Sequence, residues 1–157
     1  SEDMPIIRIN HGFAIIVTQD CDLTQDFDVR SSKDSSNERR KTPNILLCEM
    51  EFAENIFRIK DKFGGNWKQM QQNKVERLHY LERVPPECDK RKSGITELCV
   101  DFKRYFTIPT DELYMRIKLK QTFRRCYLRS PYLEHFSTRF HYYHYRVALP
   151  EDHLSEE

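Results

Sequence analysis

The chain has 157 residues, enough for one domain with a single core. Apolar residues make up 38% and aromatics 12%, while the 32% of charged residues nearly cancel to a net charge of +1. No run of eighteen apolar residues occurs, which excludes a membrane-spanning helix, and only four glycines argue against a glycine-built phosphate loop. No basic segment followed by an apolar one opens the sequence, so a cytoplasmic protein with no membrane partner is expected.

In chain order, Phe13–Thr18 is short and β-branched after Gly12, and predicts a strand. Residues 24–44 are polar with no apolar period, and read as a mobile loop. Asn44–Met50 suits a buried strand, and Phe52, Ile56 and Ile59 fall at helical spacing before Gly64-Gly65. Trp67–Asn73 predicts a helical turn or two, Arg77–Val84 a strand ending at Pro85-Pro86, and residues 87–94 a charged, hairpin-like turn. Leu98–Ile108 is the next predicted strand. Thr110 can cap a helix whose first turn holds Asp111 and Glu112, and Ser130 can cap another with Pro131 at its first position. In that last helix Leu133, Phe136, Phe140, Tyr143 and Val147 recur at steps of three and four. The expected fold is α+β: a small antiparallel sheet, SH3-like barrel or curved, with C-terminal helices packed on it. Residues 1–150 form the expected single domain and 151–157 an acidic tail.

The five cysteines, Cys21, Cys48, Cys88, Cys99 and Cys126, include no C-x-x-C pair and are odd in number. Free thiols are expected, and neither a metal nor a cofactor. Between Arg116 and Arg146 eight Lys/Arg face one acid, Glu134, so this stretch carries +7 and the rest of the chain 1 − 7 = −6.

Three groups could carry chemistry. Cys21 and Asp22 stand where the first strand ends, and a cysteine enzyme would use Cys21 with His79 as its base. On the last helix His135, Arg139, Tyr142 and Arg146 share one polar stripe. It suits a phosphate, with His135 or Tyr142 donating a proton and Arg139 stabilising charge, as metal-free phosphodiester cleavage requires. Lys118, Lys120, Arg124, Arg125, Arg129 and Arg146 form a basic segment interleaved with Phe123, Tyr127 and Tyr132. Cations neutralise phosphates and aromatic faces stack on unpaired bases, so RNA or single-stranded DNA is the expected partner. The alternative is an interaction module that docks an acidic protein.

The stretches IIVTQDCDL, CVDFKRYFTIP and LRSPYLEHFSTRFHYYHYRVALP together resemble a family of small, uncharacterised bacterial proteins with a V-[ST]-Q-x-C-D-L strand end and an S-P-Y…R-V-x-L-P helix. The likeness spans Gly12 to Pro150 and rests on Gln19, Cys21, Asp22, Asp101, Ser130, Pro131, Tyr132, Arg139 and Arg146. At the level of fold the chain also resembles the SH3-like barrels of the MazF type, ribonucleases that cut RNA without a metal. That analogy implies a toxin-like or phage-defence component acting on RNA.

Overall fold

The computed structural model describes residues 10–32, 35–58 and 66–145. Its four strands, β1 (Phe13–Ile16), β2 (Asn44–Phe52), β3 (Leu78–Leu81) and β4 (Leu98–Pro109), form one antiparallel sheet in the order β1-β2-β4-β3. β1 and β3 are its two edges, so the curved open sheet, not a closed barrel, is the form adopted. Five α-helices accompany it among the described residues: α1 (Asp20–Ser31), α2 (Ala53–Arg58), α3 (Trp67–Gln71), α4 (Thr110–Lys118) and α5 (Tyr132–Tyr145).

Alternation along β3 and β4 divides the sheet into two apolar faces. Cross-strand partners share a face, so Tyr80 and Cys99 point one way while His79 and Val100 point the other. On the His79 side, Cys48, Val100 and Phe102 pack against Phe136, Phe140 and Tyr143 of α5. These three are the residues of the helical period, and they bury nearly completely. On the other side, Leu78, Tyr80 and Cys99 meet Ala53 and Ile56 of α2 and Met70 of α3. The α3 turn starts from a capping box, in which the Asn66 side chain and the Gln69 side chain each take the other's backbone N–H.

One irregularity sets the geometry of the long strand. Cys48 pairs with Tyr105 but Met50 with Val100, so a single β2 residue, Glu49, lies opposite residues 101–104. This bulge is held by Asp101, whose Oδ1 accepts the Lys103 N–H at 3.1 Å. The Arg77 guanidinium forks the same carboxylate, Nε to Oδ1 at 2.7 Å and Nη2 to Oδ2 at 2.5 Å. The bulge restores Tyr105 to the α5 side of the sheet, where its ring meets His144 at 5.0 Å.

The β3 edge carries a plug of its own. The Asn73 side chain accepts the Tyr80 N–H at 2.6 Å and donates to the Tyr80 carbonyl at 3.2 Å, as a neighbouring strand would. This covers an edge otherwise open to intermolecular pairing.

Several expectations are corrected. Residues 24–44 are not simply a loop: α1 runs through Ser31, and a 3-10 turn occupies Ser35–Arg40. Asp20 and Asp22 in the first turn and Arg30 in the last complement the helix dipole. Only Asp26 and Val29 of α1 are buried, and one of these is charged, which is why no apolar period announces the helix. Asp26 accepts from Arg30 Nε at 2.6 Å and from the Thr42 N–H at 2.9 Å, which anchors α1 to the start of β2. The predicted strand over 77–84 is shorter, ending at Leu81, and Val84 instead pairs with Ile95 to close the 87–94 turn. Thr110 does not cap α4; it is buried, and its hydroxyl donates to the Thr42 carbonyl at 2.5 Å. Ser130 and Pro131 precede α5, joined by a cis peptide bond, and Tyr132 is the first helical residue. Helices also intervene between the strands rather than only following them. Ile59, Gly64, Gly65, Val147 and the 151–157 tail lie outside the described residues.

Candidate nucleic-acid interface

The helical stripe expected to hold a phosphate is split by the fold. Arg139 turns inward: Nη1 donates to Asn73 Oδ1 at 3.0 Å, to the Leu78 carbonyl at 2.9 Å and to His79 Nδ1 at 3.1 Å. Its Nη2 donates to the Val75 carbonyl at 2.8 Å. Burial lowers the pKa of the guanidinium. These bonds commit Arg139 to α5's seam against β3.

His79 lies in that same seam, buried among Phe102, Phe136 and the His135 ring. Burial pushes its pKa down to about 3, helped by the positive Arg139 and by His135. A neutral ring accepting at Nδ1 from Arg139 carries its proton on Nε2. His135 and Tyr142 are exposed, and Tyr142 borders a shallow hollow with Ser137, His141, His144 and Tyr145. Arg146 lies outside the described residues.

Cys21 and His79 are not brought together. Cys21 is exposed in the first turn of α1, its thiol directed toward Gln19 Oε1 at 3.5 Å and Asp22 Oδ1 at 3.8 Å, while His79 is enclosed under α5. Among the described residues no group of three His, Cys, Asp or Glu is placed to hold a metal.

The basic segment divides by role. Arg125 grips the buried Asp89 with Nε on Oδ1 at 2.7 Å and Nη2 on Oδ2 at 2.6 Å. It also donates to Ser93 Oγ and the Gly94 carbonyl, both at 3.0 Å. That pairing holds the Asp89 carboxyl far below its usual range, with the Arg91 and Ser93 N–H and O–H groups adding to it. The backbone joins as well, Lys90 N–H to the Arg125 carbonyl at 2.9 Å.

This junction sets the 87–94 turn beside the segment after α4. The Arg91 guanidinium lies 3.8 Å from the centre of the Phe123 ring. Arg124 and Arg129 stand 5.7 and 5.2 Å from the centre of the Tyr127 ring, and Arg129 also donates to the Tyr127 hydroxyl. Tyr127 and Tyr132 are 59% and 65% exposed. Lys118 and Lys120 are exposed at the end of α4, where Lys120 adopts a positive φ of 58°. Among the described residues no carboxylate pairs with Lys90, Arg91, Lys92, Arg124 or Arg129. Sequence reasoning missed Lys90, Arg91 and Lys92 as part of this surface. The signal was present in DKRK, but it is tertiary contacts, Asp89 and Lys90 with Arg125 and Arg91 with Phe123, that join it to a segment more than thirty residues on.

Fold and surface together define an α+β domain with an open antiparallel sheet and a basic, aromatic strip beside it. No family model, curated protein or solved structure matches the chain.

Proposed function

We propose that the protein binds single-stranded nucleic acid, RNA foremost, along the strip formed by Lys90, Arg91, Lys92, Phe123, Arg124, Tyr127, Arg129 and Tyr132. One observation carries this reading: exposed Tyr127 has two guanidiniums within 6 Å of its ring centre, at 5.7 and 5.2 Å, that no described carboxylate neutralises. A base stacks on an aromatic face whatever its identity, and cations beside it neutralise the phosphates on either side. Lys118 and Lys120 extend the positive strip. Arg125 supports it from beneath and does not touch the ligand. A toxin-like or phage-defence role is compatible with such binding. Chain cleavage is not proposed, because Arg139 is committed to the fold.

Fluorescence anisotropy of a labelled single-stranded RNA, across about 50–300 mM salt, tests the reading. Three to four phosphate contacts predict a slope of log affinity on log salt of about −2 to −3. Flat anisotropy at the lowest salt discards it. A second reading, docking of an acidic protein, is favoured by Met115 and Ile117 of α4 and Leu119 just after it, which are exposed among Arg116, Lys118 and Lys120. That reading predicts capture of an acidic partner that RNA does not displace.

A further inference from the structure

The turn that carries Asp89 also carries a thiol. Cys88 ends the 3-10 turn Pro86–Cys88 and is exposed, while Cys126 follows Arg125 and is half-buried. The two backbones are bonded beside them, Lys90 N–H to the Arg125 carbonyl, and the Asp89–Arg125 pair lies between the two cysteines in sequence on both sides. Burial raises the Cys126 pKa, and negative charge on Asp89 and on Cys88 raises it further, while Arg125 opposes this.

The remaining cysteines are placed differently. Cys48 and Cys99 are fully buried and their thiols are pushed up to about 12, chiefly by burial. Cys21 stands at the start of α1 with Gln19 and Asp22 about its sulfur. Of the three thiols that reach solvent, Cys88 and Cys126 are the two whose chain neighbours, Asp89 and Lys90 on one side and Arg125 on the other, are hydrogen-bonded to each other.

We propose that Cys88 and Cys126 are a reversible thiol pair that closes to an intramolecular disulfide by exchange with a small-molecule disulfide such as oxidised glutathione. The more exposed Cys88 acts first: its thiolate attacks one sulfur of the small disulfide, the S–S bond breaks, and one small thiolate leaves. The Cys126 thiol then loses its proton to solvent and attacks Cys88 Sγ, displacing the second small thiolate. Two protein thiols are oxidised, one small disulfide is reduced to two thiols, and an excess of the reduced thiol reverses both steps. The closed pair ties the 87–94 turn covalently to the strip after α4. It follows from the placement of the two thiols and does not depend on what the strip binds.

The test is to equilibrate the folded full chain with oxidised and reduced glutathione in varied ratio, block residual thiols, digest with trypsin without reduction, and map the peptides by mass. The expected product joins the peptide 84–90 to the peptide 126–129 and disappears on adding excess reduced glutathione. C126S, which removes the second thiol, leaves Cys88 as a stable mixed disulfide with glutathione, and C88S leaves Cys126 largely unmodified. Circular dichroism of both variants establishes that the fold persists. Glutathione on Cys88 and Cys126 separately with no joined peptide overturns the proposal. So does a joined peptide that forms only in denaturant, or linkage that runs through Cys21.

Discussion

Asp89 and Arg125 form a two-point ion pair across 36 residues of chain, with the carboxylate side chain enclosed and the guanidinium also satisfying Ser93 and Gly94. Arg124, its neighbour in sequence, faces the Tyr127 ring instead. Adjacent arginines thus hold opposite roles, one building the surface and one presented on it.

Arg125→Ala is therefore expected to lower the unfolding temperature markedly, because it strands a buried carboxylate. Arg124→Ala belongs with exposed substitutions that change stability by about 0.5 kcal/mol or less. Arg125→Lys rescues little, since an ammonium cannot fork two oxygens. Thermal unfolding followed by circular dichroism separates the three. Asp89 is held below its ordinary carboxyl range in the fold, so the pair stabilises fully above that range and is lost as pH falls through about 4 and below. Equal unfolding temperatures for Arg124→Ala and Arg125→Ala would refute this division of roles.

Arg139 meets three acceptors on the main chain and side chain of the segment from Asn73 to Leu78, besides His79. Arg139→Met keeps much of the apolar stem but leaves the Leu78 carbonyl without this donor, and the Val75 carbonyl with the Leu78 N–H alone. A loss of roughly 1–3 kcal/mol in urea unfolding is expected from that stranded acceptor. If RNA binding is retained by the folded variant, Arg139 acts in the fold alone. A selective loss of binding with unchanged stability would restore it to the ligand surface.

His79 provides a titration test. Its folded pKa, about 3, lies below the ordinary histidine value of 6.5, so between these values the unfolded chain binds the extra proton. Stability is therefore full above about 6.5 and falls as pH drops toward 3. The expected loss at this site between pH 6.5 and 5 is of order 1–2 kcal/mol. In proton–carbon correlation spectra the His79 ring should remain neutral at pH 5, bonded through Nδ1 to Arg139. A His79 midpoint near 6 would show that the ring is not enclosed as described.

The apolar strands and the α5 period were legible because they are local: Phe136, Phe140 and Tyr143 repeat at helical spacing and all three are buried. α1 was illegible for the opposite reason, since it is tied down by Asp26 and Arg30 through contacts to Thr42 and Asp111 that no window of sequence contains. The bulge at residues 101–104 has the same character: CVDFKRYF reads as continuous strand, and only Arg77 on Asp101 reveals the break. For the candidate site, the basic composition was legible and the orientation of each cation was not. Arg124, Arg125 and Arg139 differ by what lies across from them, which depends on Asp89 and Asn73 arriving from distant parts of the chain.

Tyr127 separates stacking from charge in the proposed RNA complex. Tyr127→Ala removes the ring near Arg124 and Arg129, and one lost base contact is worth about 1–3 kcal/mol, roughly tenfold or more in affinity. Because no cation is removed, the salt slope should not change. Tyr127→Phe keeps the ring and gives up only the hydroxyl that accepts from Arg129, so affinity should stay within about threefold of the parent. Arg124→Ala and Arg129→Ala should instead each flatten the slope of log affinity on log salt by about 0.7, the release expected per phosphate contact on a single strand. Anisotropy titrations at four salt concentrations distinguish these outcomes. Identical losses for Tyr127→Ala and Tyr127→Phe would show that the aromatic face is not stacked on a base, and unchanged slopes for both arginine variants would remove them from the phosphate path.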